Sequence, residues 1–250
     1  MSVSSRVVLI TGAASGIGAA AARRLAGPGT TLILHTRRNA VALEEIAAGA
    51  RATGAAAELV LGDLAQDSAV DALAEAVARH GRLDGLVACA GFANSAPFGT
   101  ATAAELDAAH AAMPRAFFRL ATACRAQIEE ARGRVVAVSS FGAHRFRAAG
   151  HVFPVSGAAK AALEALAKSL AVQLAASGAT VNCVVPGYVR KDEGAHASID
   201  EEAFRRVVEA IPAGRLAEPA EVAGAIAFLL SPEAAYITGQ SIHIDGGLTL

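Results

Sequence analysis

Short β-branched or leucine-rich runs alternate with longer alanine-rich stretches of helical period from one end of the chain to the other. The runs at 6–11, 31–35, 57–62, 85–90, 133–139, 180–185 and 241–245 predict strands. The stretches at 17–26, 40–52, 68–80, 103–130, 157–177 and 218–230 predict helices. Such alternation implies parallel strands joined by crossover helices, and right-handed crossovers place those helices on both faces of one sheet. The expected fold class is α/β, a doubly wound parallel sheet of about seven strands with its ligand at their carboxyl ends. No proline- or glycine-rich linker and no tandem repeat divides the chain, so 1–250 is read as a single domain. Residues 188–212 interrupt the alternation with charges and a short helical pattern, which predicts a lid insertion over the ligand crevice.

Composition narrows the partners. Apolar residues make up 54% of the 250, above the about 45–50% usual for soluble domains, and much of the excess is alanine in helical stretches. A chain of this length can bury well over half of its unfolded surface. No run approaches the roughly 18 uninterrupted apolar residues of a membrane helix, and no signal-peptide pattern precedes the first strand. A cytoplasmic protein with no membrane partner is expected. The net charge of -1 offers no basic footprint for nucleic acid, which leaves small molecules as the partner class. Cys89, Cys124 and Cys183 are isolated and odd in number, predicting packing roles rather than disulfides or a metal site.

Residues 11–18 read TGAASGIG, between the apolar run Val7 to Ile10 and the helical run near Ile17. Gly12, Gly16 and Gly18 would let the turn fold tightly and bring backbone N–H groups of a helix N-terminus to a pyrophosphate. In isolation the same glycines need mean no more than a strand-to-helix turn with positive φ. The pattern resembles the TGxxxGIG motif of the short-chain dehydrogenase/reductase family, and further matches follow in order over nearly the whole chain. Asp63 matches the family's adenine-contacting aspartate, Ala90-Gly91 the end of its NNAG motif, and Ser140 its catalytic serine at the end of the fifth strand. Lys160 precedes a long helix, Pro186-Gly187 matches the PG turn, and ITGQSIHIDGG at 237–247 looks like the C-terminal strand of 3-oxoacyl-acyl-carrier-protein reductase relatives.

The resemblance implies a Rossmann fold and a nicotinamide dinucleotide. Its pyrophosphate would lie on Gly12, Ser15, Gly16, Ile17 and Gly18, and its adenosine near Thr36, Arg37, Asp63 and Leu64. The remainder would meet Ala90, Gly91, Lys160, Pro186, Gly187 and Val189. It also implies a homodimer or homotetramer through the helices at 103–130 and 157–177, with packing from Ile237 to Leu250. Where an acidic side chain would hold a ribose 2′-hydroxyl, the chain reads His35-Thr36-Arg37-Arg38-Asn39. Cations just before a helix N-terminus oppose its dipole, whereas a 2′-phosphate would account for them. NADP(H) is therefore the expected cofactor, with NAD(H) the less favoured alternative and solvated arginines the plain one.

The catalytic segment departs from the family. Counting back from Lys160 in SGAAK places Ser156 where the family's tyrosine belongs, and no tyrosine lies between Gly133 and Gly187. A serine hydroxyl is a far weaker acid than a phenol of pKa about 10. Met113 takes the place of the family's asparagine, and Pro114 after it should bend the helix and free the carbonyl of His110, either for a water or simply as a kink beside a core methionine. Lys191 stands where a threonine usually follows the PG turn. The segment from Ser140 to Ser156 is about three residues longer than usual. With Arg190 and Lys191, its His144, Arg145, Arg147 and His151 form a basic rim, read either as solvated surface or as a site for an anionic substrate.

Three functions remain open on these residues. The leading one is NADP(H)-dependent hydride transfer to or from a carbonyl or imine, with Ser140, Ser156 and Lys160 as the candidate catalytic set and no metal. Its proton would come from a water, His144, His151 or a pre-protonated iminium. The others are a nucleotide-binding protein with little turnover, acting as sensor or partner subunit, and a lyase or isomerase on the same scaffold.

Overall fold

A computed structural model describes residues 6–146, 152–190 and 201–250. Among the described residues the strands are β1 (Arg6–Thr11), β2 (Thr30–Thr36), β3 (Ala56–Leu61), β4 (Gly85–Ala88), β5 (Arg134–Val138), β6 (Thr180–Pro186) and β7 (Ser241–Ile244). All pairings are parallel, in the order β3-β2-β1-β4-β5-β6-β7. The order reverses between β1 and β4, and a ligand crevice in such a sheet opens there, beyond the carboxyl ends of the strands.

Successive strand residues face opposite sides, which is why the strand runs read as continuously apolar. Val8, Ile10, Leu32, Leu34 and Val136 pack on one face against α1 (Gly16–Leu25), α2 (Ala40–Ala52) and α9 (Pro219–Leu229). Val7, Leu9, Ile33, Val135 and Val181 pack on the other against α3 (Asp67–Ala78), α5 (Ala116–Ala123) and α7 (Pro154–Leu174). Each such fully buried side chain contributes about 1.5–3 kcal/mol relative to exposure.

The predicted single helix at 103–130 is divided. It consists of α4 (Ala103–His110), a π turn at Ala111–Arg115, α5, and α6 (Arg125–Ala131). Pro114 lies inside the π turn, whose wider winding accommodates the missing N–H and the ring. Met113 is buried in a small cluster with Ala109, Val155 and Ala159, so it fills core. A void of about 20 Å³ beside the turn is lined by Leu64, Met113, Phe117 and Leu163, too apolar a setting to favour a bridging water.

Helix α7 begins at Pro154, three residues before the predicted start, because proline at a first helical position lacks only an N–H that would go unpaired there. Of the predicted lid, Val189 forms a bridge to Ala217, and α8 (Glu201–Glu209) brings Val207 and Val208 against Phe141, Ile211, Leu216 and Leu248. Arg147, His151 and Lys191 lie outside the described residues. No helix among the described residues is long and apolar enough to cross a membrane.

The turn from β1 into α1 depends on backbone contact. A Cβ at Gly18 would stand 2.1 Å from the carbonyl oxygen of Gly12, whereas one at Gly27 would meet nothing within 4 Å. Gly18→Ala should therefore cost about 1–3 kcal/mol in denaturant unfolding, while Gly27→Ala stays within about 0.5 kcal/mol. Equal midpoints for the two variants would show that the turn is not under this constraint.

Candidate functional site

The glycine turn is fixed from both sides. Thr11 Oγ1 accepts hydrogen bonds from the N–H groups of Cys89 and Ala90, both at 3.1 Å, tying the end of β1 to the end of β4. Gly12 has φ +70, and a Cβ there would stand 2.9 Å from Ala90 Cα. Helix α1 starts directly behind this turn. Ser15 is its N-cap but makes no side-chain capping bond, and no acidic residue occupies the first turn, so no carboxylate of its own stands at the positive end of the helix. Ile17 is half-buried against the α1 face of the sheet. Backbone donors with no side chain in front of them are what a pyrophosphate requires, so the cradle fits a dinucleotide.

Further along the carboxyl edge, Thr36 is buried at the end of β2, and Arg37 Nη1 lies 3.9 Å from Asp63 Oδ2. Asp63 Oδ1 also accepts from the N–H of Ala65 at 3.0 Å, and Leu64 is packed into the core. His35 Nε2 pairs with the carbonyl of Gly62 at 2.9 Å, and burial pushes its pKa below the ordinary histidine value, which keeps the ring neutral. Asn39 Oδ1 caps α2 by accepting from the N–H of Ala42. Pro186 ends β6, and Gly187 lies so close to Asp245 that a Cβ would be 2.8 Å from its Cα.

At the base of the crevice Lys160 Nζ donates to the carbonyl of Val138 at 2.6 Å. It is 6% exposed, and burial pushes its pKa down against the opposing pull of Cys89, Cys183 and Glu164. A Cβ on Gly91 would stand 2.9 Å from that nitrogen, so a side chain there would push on the lysine tip. Burial likewise pushes the Cys89 thiol up to about 11, despite the nearby ammonium, so it stays protonated.

Ser156 lies one helical turn before Lys160 and is buried. Its Oγ accepts from the Asn94 N–H at 3.0 Å and donates to the Asn94 carbonyl at 3.2 Å. Asn94 is itself held, its Nδ2 donating to Glu105 Oε1 at 3.1 Å and its Oδ1 accepting from Ala96 at 2.8 Å. Ser140 Oγ accepts from the N–H of Gly142 at 3.2 Å, which leaves its own O–H to donate.

Ser139 points the other way, into a buried network. Glu164 accepts from Ser139 Oγ, pairs with His144 Nε2 at 2.8 Å, and accepts from Ser241 Oγ of β7 at 2.7 Å. The His144 ring also meets His243 edge-on, at 4.7 Å between centroids. Arg190 is paired with Glu218 at 2.7 Å. Of the expected basic rim, His144 and Arg190 are engaged with carboxylates, Arg145 has its Nε buried without a partner, and the other three residues lie outside the described ones. Asn94, Glu164 and Tyr188 were not singled out from sequence. Glu164 could have been, since it sits one turn after Lys160 on the same face of α7.

A family model described as enoyl-(acyl carrier protein) reductase matches residues 12–249. The chain belongs to the short-chain dehydrogenase/reductase family. It is 34% identical to the 3-oxoacyl-[acyl-carrier-protein] reductase of Aggregatibacter actinomycetemcomitans, over 98% of this chain and 99% of that one. It is 38% identical to the cis-4-hydroxycyclohexanecarboxylate dehydrogenase of Sinomonas cyclohexanicum, over 98% and 96%. Among solved structures, a short-chain dehydrogenase from Burkholderia cenocepacia in complex with NADP superposes with a TM-score of 0.88 at 32% identity, over 99% and 98% of the two chains. The protein is accordingly a short-chain oxidoreductase with a Rossmann-like sheet, and the crevice described above lies at the carboxyl edge of that sheet.

In this short-chain oxidoreductase the Glu164 network joins β5, α7 and β7 behind the crevice. Burial alone would raise the Glu164 pKa, but the hydrogen bonds from Ser139, Ser241 and His144 outweigh it, and the net shift is downward. A depressed folded-state pKa means stabilisation that is full above the unfolded carboxylate value and is lost as pH falls through the lower folded one. Glu164→Gln should flatten the acidic limb of the stability–pH curve and lower stability at neutral pH. An acidic limb identical to wild type would assign that pH dependence to other carboxylates.

Proposed function

We propose that this chain is an NADP(H)-dependent reductase or dehydrogenase acting on a carbonyl or imine carbon of a small molecule, with a proton donor other than Ser156. The observation that carries the reading is the tightly packed glycine turn of Gly12 and Gly18 at the start of α1, together with the buried Lys160 bonded to the Val138 carbonyl. When bound, the cofactor supplies hydride chemistry. Lys160 would hold the ribose, Ser140 would donate to the developing oxyanion, and Pro186, Gly187 and Val189 would border the nicotinamide end. Thr36 and Arg37 would take the 2′-phosphate, an assignment supported by the lack of an acidic side chain at the end of β2 and by the NADP complex of the Burkholderia relative.

Ser156 fits a different part. On this reading it replaces the family's tyrosine, and its hydroxyl is already committed to Asn94 as both donor and acceptor. The same commitment favours the second reading, a dinucleotide-binding protein with little turnover. Screening NADPH oxidation over ketones, 3-oxoacyl thioesters and cyclic imines separates the two: steady consumption with any substrate supports the enzyme, and tight cofactor binding without consumption supports the binder. An anionic substrate, if one is used, would meet Arg145 among the described cations, with Arg147 and Lys191 outside the described residues.

The cofactor assignment predicts tighter binding of NADP(H) than of NAD(H) in calorimetric titration. Arg37→Ala should erode the preference about tenfold or more, the scale of one lost charge-assisted hydrogen bond. Equal affinities in the wild type would contradict it. Self-association is also proposed, because Phe118 on α5 and Val172 on α7 are 57% and 81% exposed. Light scattering should return a dimeric or tetrameric mass, and a monomer at micromolar concentration would refute this.

A further inference from the structure

The chain carries a phenol just outside the segment from Gly133 to Gly187, at the edge where the crevice residues Ser140 and Lys160 are anchored. Tyr188 follows Pro186-Gly187 at the carboxyl end of β6, and its ring centroid lies 4.6 Å from that of Phe141, the residue after Ser140. Strands β5 and β6 are paired up to Val138 and Val184, so Tyr188 and Ser140 rise from adjacent strand ends. The carbonyl of Val138, which holds Lys160 Nζ, belongs to the same edge.

The phenol is held by its backbone rather than by its hydroxyl. The Gly187 N–H donates to Ile244 at 3.0 Å, and the Tyr188 carbonyl accepts from Ala217 at 2.9 Å. The ring is half-buried in the cluster of Phe141, Ile211, Leu216 and Leu248. Among the described residues the hydroxyl donates no hydrogen bond. The Arg145 N–H donates to the carbonyl of Phe141, the tyrosine's ring neighbour, at 2.9 Å. Its guanidinium is the described charge acting on the phenol, and its Nε is buried without a partner. His144, by contrast, is spent on Glu164.

We infer that Tyr188 donates the proton to the reacting oxygen, and that Arg145 stabilises the phenolate left behind. This rests on the proposed hydride transfer from a reduced nicotinamide dinucleotide. In the reductive direction the carbonyl carbon gains a C–H bond from the hydride, and the C=O π pair moves onto oxygen. The Tyr188 Oη–H bond breaks as its proton passes to that oxygen, and the phenolate recovers a proton from water. The carbonyl is reduced to an alcohol, the nicotinamide is oxidised, and one solvent proton is consumed. A phenol suits this role far better than a serine. Burial pushes the Tyr188 pKa up and the Arg145 charge pulls it down, so the cation keeps a half-buried acid usable.

The chain contains two tyrosines and no tryptophan, and Tyr236 is fully exposed. In the Tyr236→Phe variant, NMR of tyrosine labelled at Cζ therefore reports Tyr188 alone. Bound NADP+ carries a cationic ring, so it should lower the pH midpoint of Tyr188, and Arg145→Gln should raise it. Tyr188→Phe should lower kcat for ketones about 100-fold or more, with cofactor affinity unchanged and the alkaline limb of the pH profile gone. A midpoint unmoved by bound NADP+, or wild-type kcat in Tyr188→Phe, overturns the inference while leaving the cofactor reading intact. Failure to bind NADP+ at all overturns both.

Discussion

A buried ammonium organises this crevice. Lys160 is nearly inaccessible to water, and an isolated cation in such a place would be too costly to keep charged. Burial pushes its pKa down while Cys89, Cys183 and Glu164 pull against that shift, and its bond to the Val138 carbonyl holds α7 close over the end of β5, with Gly91 packed beside the nitrogen. The same closeness brings β4, with Ala90 and Gly91, against the β1 turn, where Gly12 and Gly18 pack backbone on backbone. Cradle and lysine are thus neighbours through the segment after β4, where Ala90 packs on Gly12 and Gly91 lies beside Lys160.

Around that centre the hydroxyl groups divide their work by the geometry of consecutive residues. Ser139 turns into the network of Glu164, Ser241 and His144, which ties the sheet edge to α7. Ser140 accepts from the Gly142 N–H and keeps a hydrogen to donate. Ser156, which the motif spacing would make the acid, instead clamps Asn94 and the segment after β4. On the proposed reading, the acid has moved to the facing strand end, where Tyr188 packs on Phe141 under the charge of Arg145.

Much of this was legible in the sequence. The strands were recognisable because buried parallel strands are continuously apolar, and the helices because alanine-rich runs kept their period. The division of 103–130 was only half visible: Pro114 announces a disturbance, but whether the helix kinks or widens depends on what Met113 packs against. The glycine cradle was readable because a local motif encodes it. The partners of Ser156, His144 and Arg190 were not, since Asn94, Glu164 and Glu218 lie 62, 20 and 28 residues away along the chain. Two cations of the expected basic rim are paired for that reason, because local charge says nothing of a distant carboxylate.

On the proposed reading Ser156 holds structure and does not transfer the proton. The most direct measurement is the steady NADPH oxidation rate of Ser156→Ala beside wild type, at saturating cofactor and with the same ketone. The account predicts that kcat survives within about tenfold, less than the 100-fold or greater loss typical of a missing general acid, while KM rises as the Asn94 segment loosens. Complete loss of turnover with cofactor affinity intact would return the proton to Ser156 and contradict the account.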